Sequence, residues 1–88
     1  MAVIRAFSIA GMKLWFYSSD HDPPHFHAKR NGEWEMRVKF LENEEEMLEL
    51  IWRKTSKSSV SARDKKLLQE MVDEHRPALL REWENLHP

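Results

Sequence analysis

His25-Phe26-His27-Ala28-Lys29-Arg30-Asn31-Gly32-Glu33-Trp34-Glu35-Met36-Arg37-Val38-Lys39-Phe40 is the stretch that decides the fold. In its second half Trp34, Met36, Val38 and Phe40 alternate with Glu33, Glu35, Arg37 and Lys39. A period of two sends successive side chains to opposite faces of a strand, so this half is a strand with one oily and one charged face. Asn31-Gly32 is a turn signal, and residues 25–30 and 33–41 are the two arms of a hairpin around it. Residues directly opposite one another share a face, which ties the register to the apolar pattern. A two-residue turn sets His27 opposite Met36 and His25 opposite Val38, burying both imidazoles on the oily side. A three-residue turn of Arg30-Asn31-Gly32, with Gly32 left-handed, instead pairs Phe26 with Met36 and Ala28 with Trp34. The second register is the one expected here. It places His27 across from Glu35 and His25 across from Arg37, all facing solvent.

Upstream, residues 3–9 and 12–17 flank Ala10-Gly11 and read as another hairpin. Met12, Leu14 and Phe16 alternate with Lys13, Trp15 and Tyr17, and Trp15 with Tyr17 is expected to form an exposed surface suited to a partner or to base stacking. Covering by a second layer is the plainer alternative. Residues 18–24, with two prolines, form a loop, because proline lacks the donor a sheet ladder needs.

Downstream, 43–46 is a turn, and in 47–53 Leu48, Leu50 and Trp52 alternate with Met47, Glu49 and Ile51 as a further strand, with a short helix as the other reading. From residue 61 the period becomes helical: Leu68, Met71, Val72, His75, Leu79, Trp83 and Leu86 fall on one stripe, and Ser61 with Asp64 forms an N-terminal cap. Trp34 and Trp83 are expected in the core, and His75 as a part-buried, hydrogen-bonded residue. Pro77 predicts a kink or break near 74–76. The fold class is therefore α+β: an antiparallel sheet of four to five strands over 1–53, a linker over 54–60, and a helical segment over 61–87, in one domain.

A chain of 88 residues has room for one core, and 41% hydrophobic with 33% charged residues is a globular balance. The absence of cysteine excludes disulfides, thiolate-held zinc and a cysteine nucleophile. No run reaches the length of a membrane span, so a cytoplasmic protein with no membrane partner is expected. A net charge of −1 argues against an overall electrostatic grip on nucleic acid. Charge is nonetheless blocked: basic at Lys29, Arg30, Arg37 and Lys39, acidic from Glu42 to Glu49, basic again from Arg53 to Lys66. Such blocks are solvated surface or contacts for a phosphate backbone or an acidic partner.

Chemistry concentrates in Asp20-His21-Asp22-Pro23-Pro24-His25-Phe26-His27. On a strand, His25 and His27 share a face about 7 Å apart. They can hold a divalent transition metal together with His21 and Asp22 or Asp20. Alternatively His25 and His27 act as acid and base, with Arg37 stabilising charge on a phosphoryl group, as ribonuclease chemistry requires. Asp20, His21, Trp15, Tyr17, Lys29 and Glu35 are the candidate ligand-binding residues around them. In the structural reading, Asp20 and Asp22 make Asx turns and the histidines pair with Glu35 or pack on Trp15 and Tyr17.

Phe16-Tyr17-Ser18-Ser19-Asp20-His21-Asp22-Pro23-Pro24-His25-Phe26-His27-Ala28 resembles the bacterial family catalogued as domain of unknown function 4160, whose hallmark is an aromatic strand running into Asp-His-x-Pro-Pro-His-Phe-His. Leu67-Leu68-x-x-x-Val72-x-x-His75-x-x-x-Leu79-Leu80-x-x-Trp83 is similar to the family's closing helix. The resemblance singles out His21, His25 and His27 and implies short stand-alone proteins, with no activity attached. The function expected is a small cytoplasmic binding or regulatory module, by analogy one half of a toxin and antitoxin pair. Its partners would be a protein encoded nearby, RNA or a second copy of the chain. The alternatives are a metal-dependent or histidine-based ribonuclease or other phosphoryl-transfer enzyme, and a structural domain with no catalytic site.

Overall fold

A computed structural model describes residues 1–54 and 60–88, so most of the expected linker, residues 55–59, lies outside the described residues. The elements are β1 (Ala2–Val3), β2 (Lys13–Phe16), β3 (Phe26–Arg30), β4 (Trp34–Val38), α1 (Glu44–Met47), β5 (Leu48–Arg53) and α2 (Ala62–Leu86). The strands form one antiparallel sheet in the order β1-β2-β3-β4-β5, and the α+β class read from the sequence is the one observed. Leu14, Phe16, Phe26, Ala28, Trp34, Met36 and Val38 form the core together with Leu68, Val72, Leu79 and Trp83 of α2, so the helix covers one face of the sheet. None of the described helices is long and apolar enough to cross a membrane.

The central hairpin pairs Phe26 with Val38, His27 with Arg37, Ala28 with Met36, Lys29 with Glu35 and Arg30 with Trp34. This register is two residues away from the expected one, which had set Phe26 against Met36, Ala28 against Trp34 and His27 against Glu35. The loop is Asn31-Gly32-Glu33: the Glu33 N–H donates to the Arg30 carbonyl at 3.0 Å, with Gly32 at φ +77°. Positive φ at the third position of that turn is the requirement of a type II turn, and glycine meets it without strain. A slip of two preserves every face, so the apolar pattern had no power to exclude it. What the observed register adds is an ordered Arg30. As the last residue of β3, it donates from Nε and Nη2 to the Asp64 carboxylate at 3.0 and 2.9 Å.

Asp64 is 8% exposed and sits in the first turn of α2, where its N–H donates to the Ser61 hydroxyl at 3.1 Å. The pair thus ties the sheet to the start of the helix, and breaking a largely buried ion pair strands the remaining charge. Asp64→Ala is expected to lower unfolding free energy by about 2 to 3 kcal/mol in urea denaturation. Lys66→Ala, whose Glu70 partner is 3.9 Å away on the exposed side of the helix, should change it by less than about 0.5 kcal/mol.

The hairpin expected from 3–9 and 12–17 is largely absent: only Ala2 and Val3 pair, with Phe16 and Trp15. Beyond Ile4, whose N–H still donates to the Leu14 carbonyl at 3.1 Å, the chain leaves the sheet, and Ile4 and Phe7 enter the core. Ile4 and Phe7 are an odd number of residues apart, so a regular strand would send them to opposite faces and could not bury both in one core. The helix meets the freed backbone instead, the Glu82 carboxylate accepting from the Arg5 and Ala6 N–H groups at 2.7 and 2.8 Å. Helix α2 runs from Ala62 to Leu86 through Pro77, so the helix is not broken there. Arg76, the residue before it, anchors that turn by donating from Nε to the Phe40 carbonyl at 2.7 Å.

At the other edge, Asn43 caps the one-turn helix α1 through its side chain, and β5 follows as a strand rather than a helix. Leu50, Ile51 and Trp52 are exposed there. Met36 faces Leu50 while Glu35 faces Trp52, which leaves Ile51 as an extra residue in a bulge. A bulge interrupts the regular row of donors and acceptors by which an edge strand would recruit another chain.

Candidate functional site

The sheet face opposite α2 carries the cross-strand row Trp15, His27, Arg37 and Glu49, set by the pairings of β2 through β5. At the end of β2 the chain reverses in a turn in which the Asp20 N–H donates to the Tyr17 carbonyl at 3.2 Å, and the Tyr17 N–H donates to Asp20 Oδ2 at 3.0 Å. The reversal folds Asp20 back over the start of β3. His27 Nε2 lies 3.1 Å from Asp20 Oδ2, and His25 Nε2 lies 3.5 Å from Oδ1. The ligand atoms of Asp20, His25 and His27 all fall within 4.8 Å of one another.

Both imidazoles are 6% exposed, which corrects the expectation that they face solvent. Their cover comes from the reversed loop and from aromatic rings. His27 stacks on Trp15 at 5.4 Å and 20°, with the Tyr17 ring edge-on at 4.8 Å. His25 lies against Trp83 near the end of α2, ring centres 5.6 Å apart. Trp15, expected on an exposed aromatic surface, is 3% exposed, and only Tyr17 of that pair reaches solvent. The neighbours of Trp15 on that face are the stacked His27 ring, the Tyr17 ring edge-on at 6.0 Å and the Lys13 ammonium, 5.7 Å from the Trp15 ring centre.

The two histidines are held differently. His25 Nδ1 lies 2.9 Å from the Pro23 carbonyl, which can only accept, so Nδ1 carries the proton and Nε2 is the nitrogen aimed at Asp20. His27 has its Nδ1 buried without a partner among the described residues and is oriented by the stack on Trp15 and by Asp20. His87 closes the end of α2 over the same corner: its ring nitrogens lie 2.9 Å from the Trp83 carbonyl and 3.0 Å from the Tyr17 carbonyl.

The Asp20 carboxyl is held below its ordinary value of 3.8. Burial is the largest single influence and pushes it up, but the Tyr17 N–H, the His27 imidazole and the charges of His25 and His27 together outweigh it. A carboxyl lowered in the folded state contributes stability that is present above the unfolded value and lost as pH falls through the folded one. In chelator-treated protein, the stability difference between wild type and Asp20→Asn should therefore shrink as pH falls from about 5 through the lowered Asp20 value. Urea denaturation across that range checks it. A difference that instead grew on acidification would contradict the sign.

Beside the cluster runs a cleft of ≈ 380 Å³ lined by Ser19, Asp20, His21, Asp22, Pro23, His25, Arg37, Lys39 and Glu49. His21 and Asp22, named from sequence as metal ligands, are exposed on its rim, and the donor cluster contains Asp20 in their place. Arg37 lies within reach of the cleft and donates from Nη1 to Glu49 at 2.7 Å. Lys29 and Glu35 face each other one step further along the strands, between Lys13 and Trp52, and line no part of the cleft. Lys39, Glu49 and Trp83 belong to the site and were not singled out for it from sequence. Lys39 and Glu49 carry a signal, since alternation puts both on the face of Arg37; Trp83 carries none, because only the packing of α2 brings it there.

Two imidazoles and one carboxylate whose ligand atoms lie within 4.8 Å of one another, with His27 at 3.1 Å and His25 at 3.5 Å from Asp20, are a donor set of the kind transition-metal ions take. The sequence model of the family described as Domain of unknown function (DUF4160) matches residues 11–84. Comparison with curated proteins and with solved structures finds no match.

Proposed function

The chain belongs to the DUF4160 family, whose description assigns no activity, and we propose from the site itself that it is a small binding module built on a metal centre, with His25, His27 and Asp20 as ligands to one divalent transition ion. The observation that carries this is the aim of His25. With Nδ1–H committed to Pro23, its Nε2 points at the Asp20 carboxylate from 3.5 Å. In the neutral ring a lone pair facing a carboxylate is repulsive; a second proton on the ring relieves this for His25 alone, whereas a cation between them satisfies both imidazoles and the carboxylate at once. The hydrogen bond to a backbone carbonyl is also the support that metal-bound histidines typically have on their other nitrogen. Two imidazoles and one carboxylate leave coordination positions open, which suits ligand binding or hydrolytic chemistry more than a closed structural site.

The metal-free acid–base reading draws no support from this geometry. Both imidazoles are turned to one carboxylate, and His27 Nδ1 is buried. A general base needs a nitrogen that the reacting proton can reach.

The test is metal content. Protein stripped with chelator and reloaded with zinc should hold one equivalent by elemental analysis after desalting, and His25→Ala should hold none. Retention of one equivalent by both His25→Ala and His27→Ala would refute the proposal.

A further inference from the structure

We infer that the cleft beside the histidine cluster binds a small oxyanion, of carboxylate or phosphate-monoester class, and does so only when the metal is present; the inference rests on the metal reading above. The walls of the cleft differ in chemistry. The loop wall offers Asp20, His21, Asp22 and His25, and the sheet wall offers Arg37, Lys39 and Glu49. Three carboxylates against two cations leave the lining at −1 with the histidines neutral, which repels an anion. One divalent ion reverses that sign to +1, so cation and anion bind in order.

Arg37 supplies the second contact. It commits Nη1 to Glu49 at 2.7 Å and its Nε–H is buried, but the side chain is 41% exposed and lines the cleft, which leaves Nη2 to reach an anion. It also stands directly across from the candidate ligand His27, on the same face of the sheet. A guanidinium with unfilled donors beside a metal with open positions is the pairing that a two-oxygen anion satisfies, one oxygen on the metal and one on the fork. Half-buried Lys39 alone would give a point charge without that direction. At ≈ 380 Å³ the cleft is of small-molecule size, which favours a free carboxylate or phosphate monoester over a polymer backbone.

Cobalt-loaded protein gives a readout that senses the metal's own ligands, its visible absorption bands. Acetate, methyl phosphate and inorganic phosphate are titrated separately into cobalt-loaded wild type, Arg37→Ala and Lys39→Ala, and the two anion classes are distinguished by which of them saturates. The expected result is a saturable band shift in wild type and an affinity weakened roughly 10-fold or more in Arg37→Ala, with the anion-free cobalt spectrum unchanged. Metal-free wild type, followed by nuclear magnetic resonance, should show no saturable response to the same anions. Intact cobalt bands that no anion moves, loss of the bands through stripping of cobalt, or equal affinity in wild type and both variants would each overturn the inference while leaving the metal site standing. Failure of cobalt to give bound-state bands at all would remove the metal reading itself. Should Arg37→Ala fold poorly, Lys39→Ala and Arg37→Lys carry the comparison.

Discussion

Asp20→Asn is expected to weaken zinc affinity by roughly 100-fold or more while leaving the fold intact. Asparagine keeps an oxygen that can accept from the Tyr17 N–H, the contact that closes the turn at 3.0 Å. It removes the negative charge on which both histidine nitrogens converge, at 3.5 and 3.1 Å. The same substitution therefore separates two roles that alanine would confound. If the cluster is only a structural latch, asparagine should leave zinc binding as it was and shift the melting temperature slightly. If the cluster holds an ion, calorimetric titration with zinc should register the loss, and circular dichroism should show the secondary structure unchanged. His21→Ala, whose ring is exposed on the rim, should lower affinity by less than about 3-fold.

Phe26→Ala should cost about 3 to 5 kcal/mol of stability, the largest effect expected of any single core truncation beside the site. Phe26 is 0% exposed and meets Phe7, Phe16 and Phe40 at ring-centre distances of 6.0, 6.4 and 6.2 Å. It is thus the residue on which the irregular N-terminal segment, β2 and the chain beyond β4 all converge. A domain of this size has about 5 to 15 kcal/mol in all, so the truncation removes a large fraction of it. It also lies between His25 and His27, so the metal site should be lost with the fold. Urea titration reads the first effect, and a midpoint within error of wild type would contradict the packing described above.

The strands around Asn31-Gly32 and the stripe from Leu68 to Trp83 were legible because each has one period and one buried face. The hairpin register was not, because a slip of two leaves every face unchanged, and it was settled by Arg30 reaching Asp64, a contact 34 residues away in sequence. The segment from Ile4 to Met12 was misread for a related reason: its apolar residues are buried by tertiary packing under Glu82, without a periodic element. Within the candidate site, the density of histidines marked the right corner. That Asp20, rather than Asp22, meets the imidazoles depends on the turn at Tyr17, which brings back the residue three positions on and leaves Asp22 at the rim. The burial of His25 depends on Trp83, which arrives from the far end of the helix.

Crystals grown with zinc, with diffraction data collected on both sides of the zinc absorption edge, test the metal centre most directly. One anomalous peak is expected at roughly 2.0 to 2.2 Å from Nε2 of His25, Nε2 of His27 and a carboxylate oxygen of Asp20. A map with no peak among those three atoms, or with zinc only on exposed His21, would contradict it.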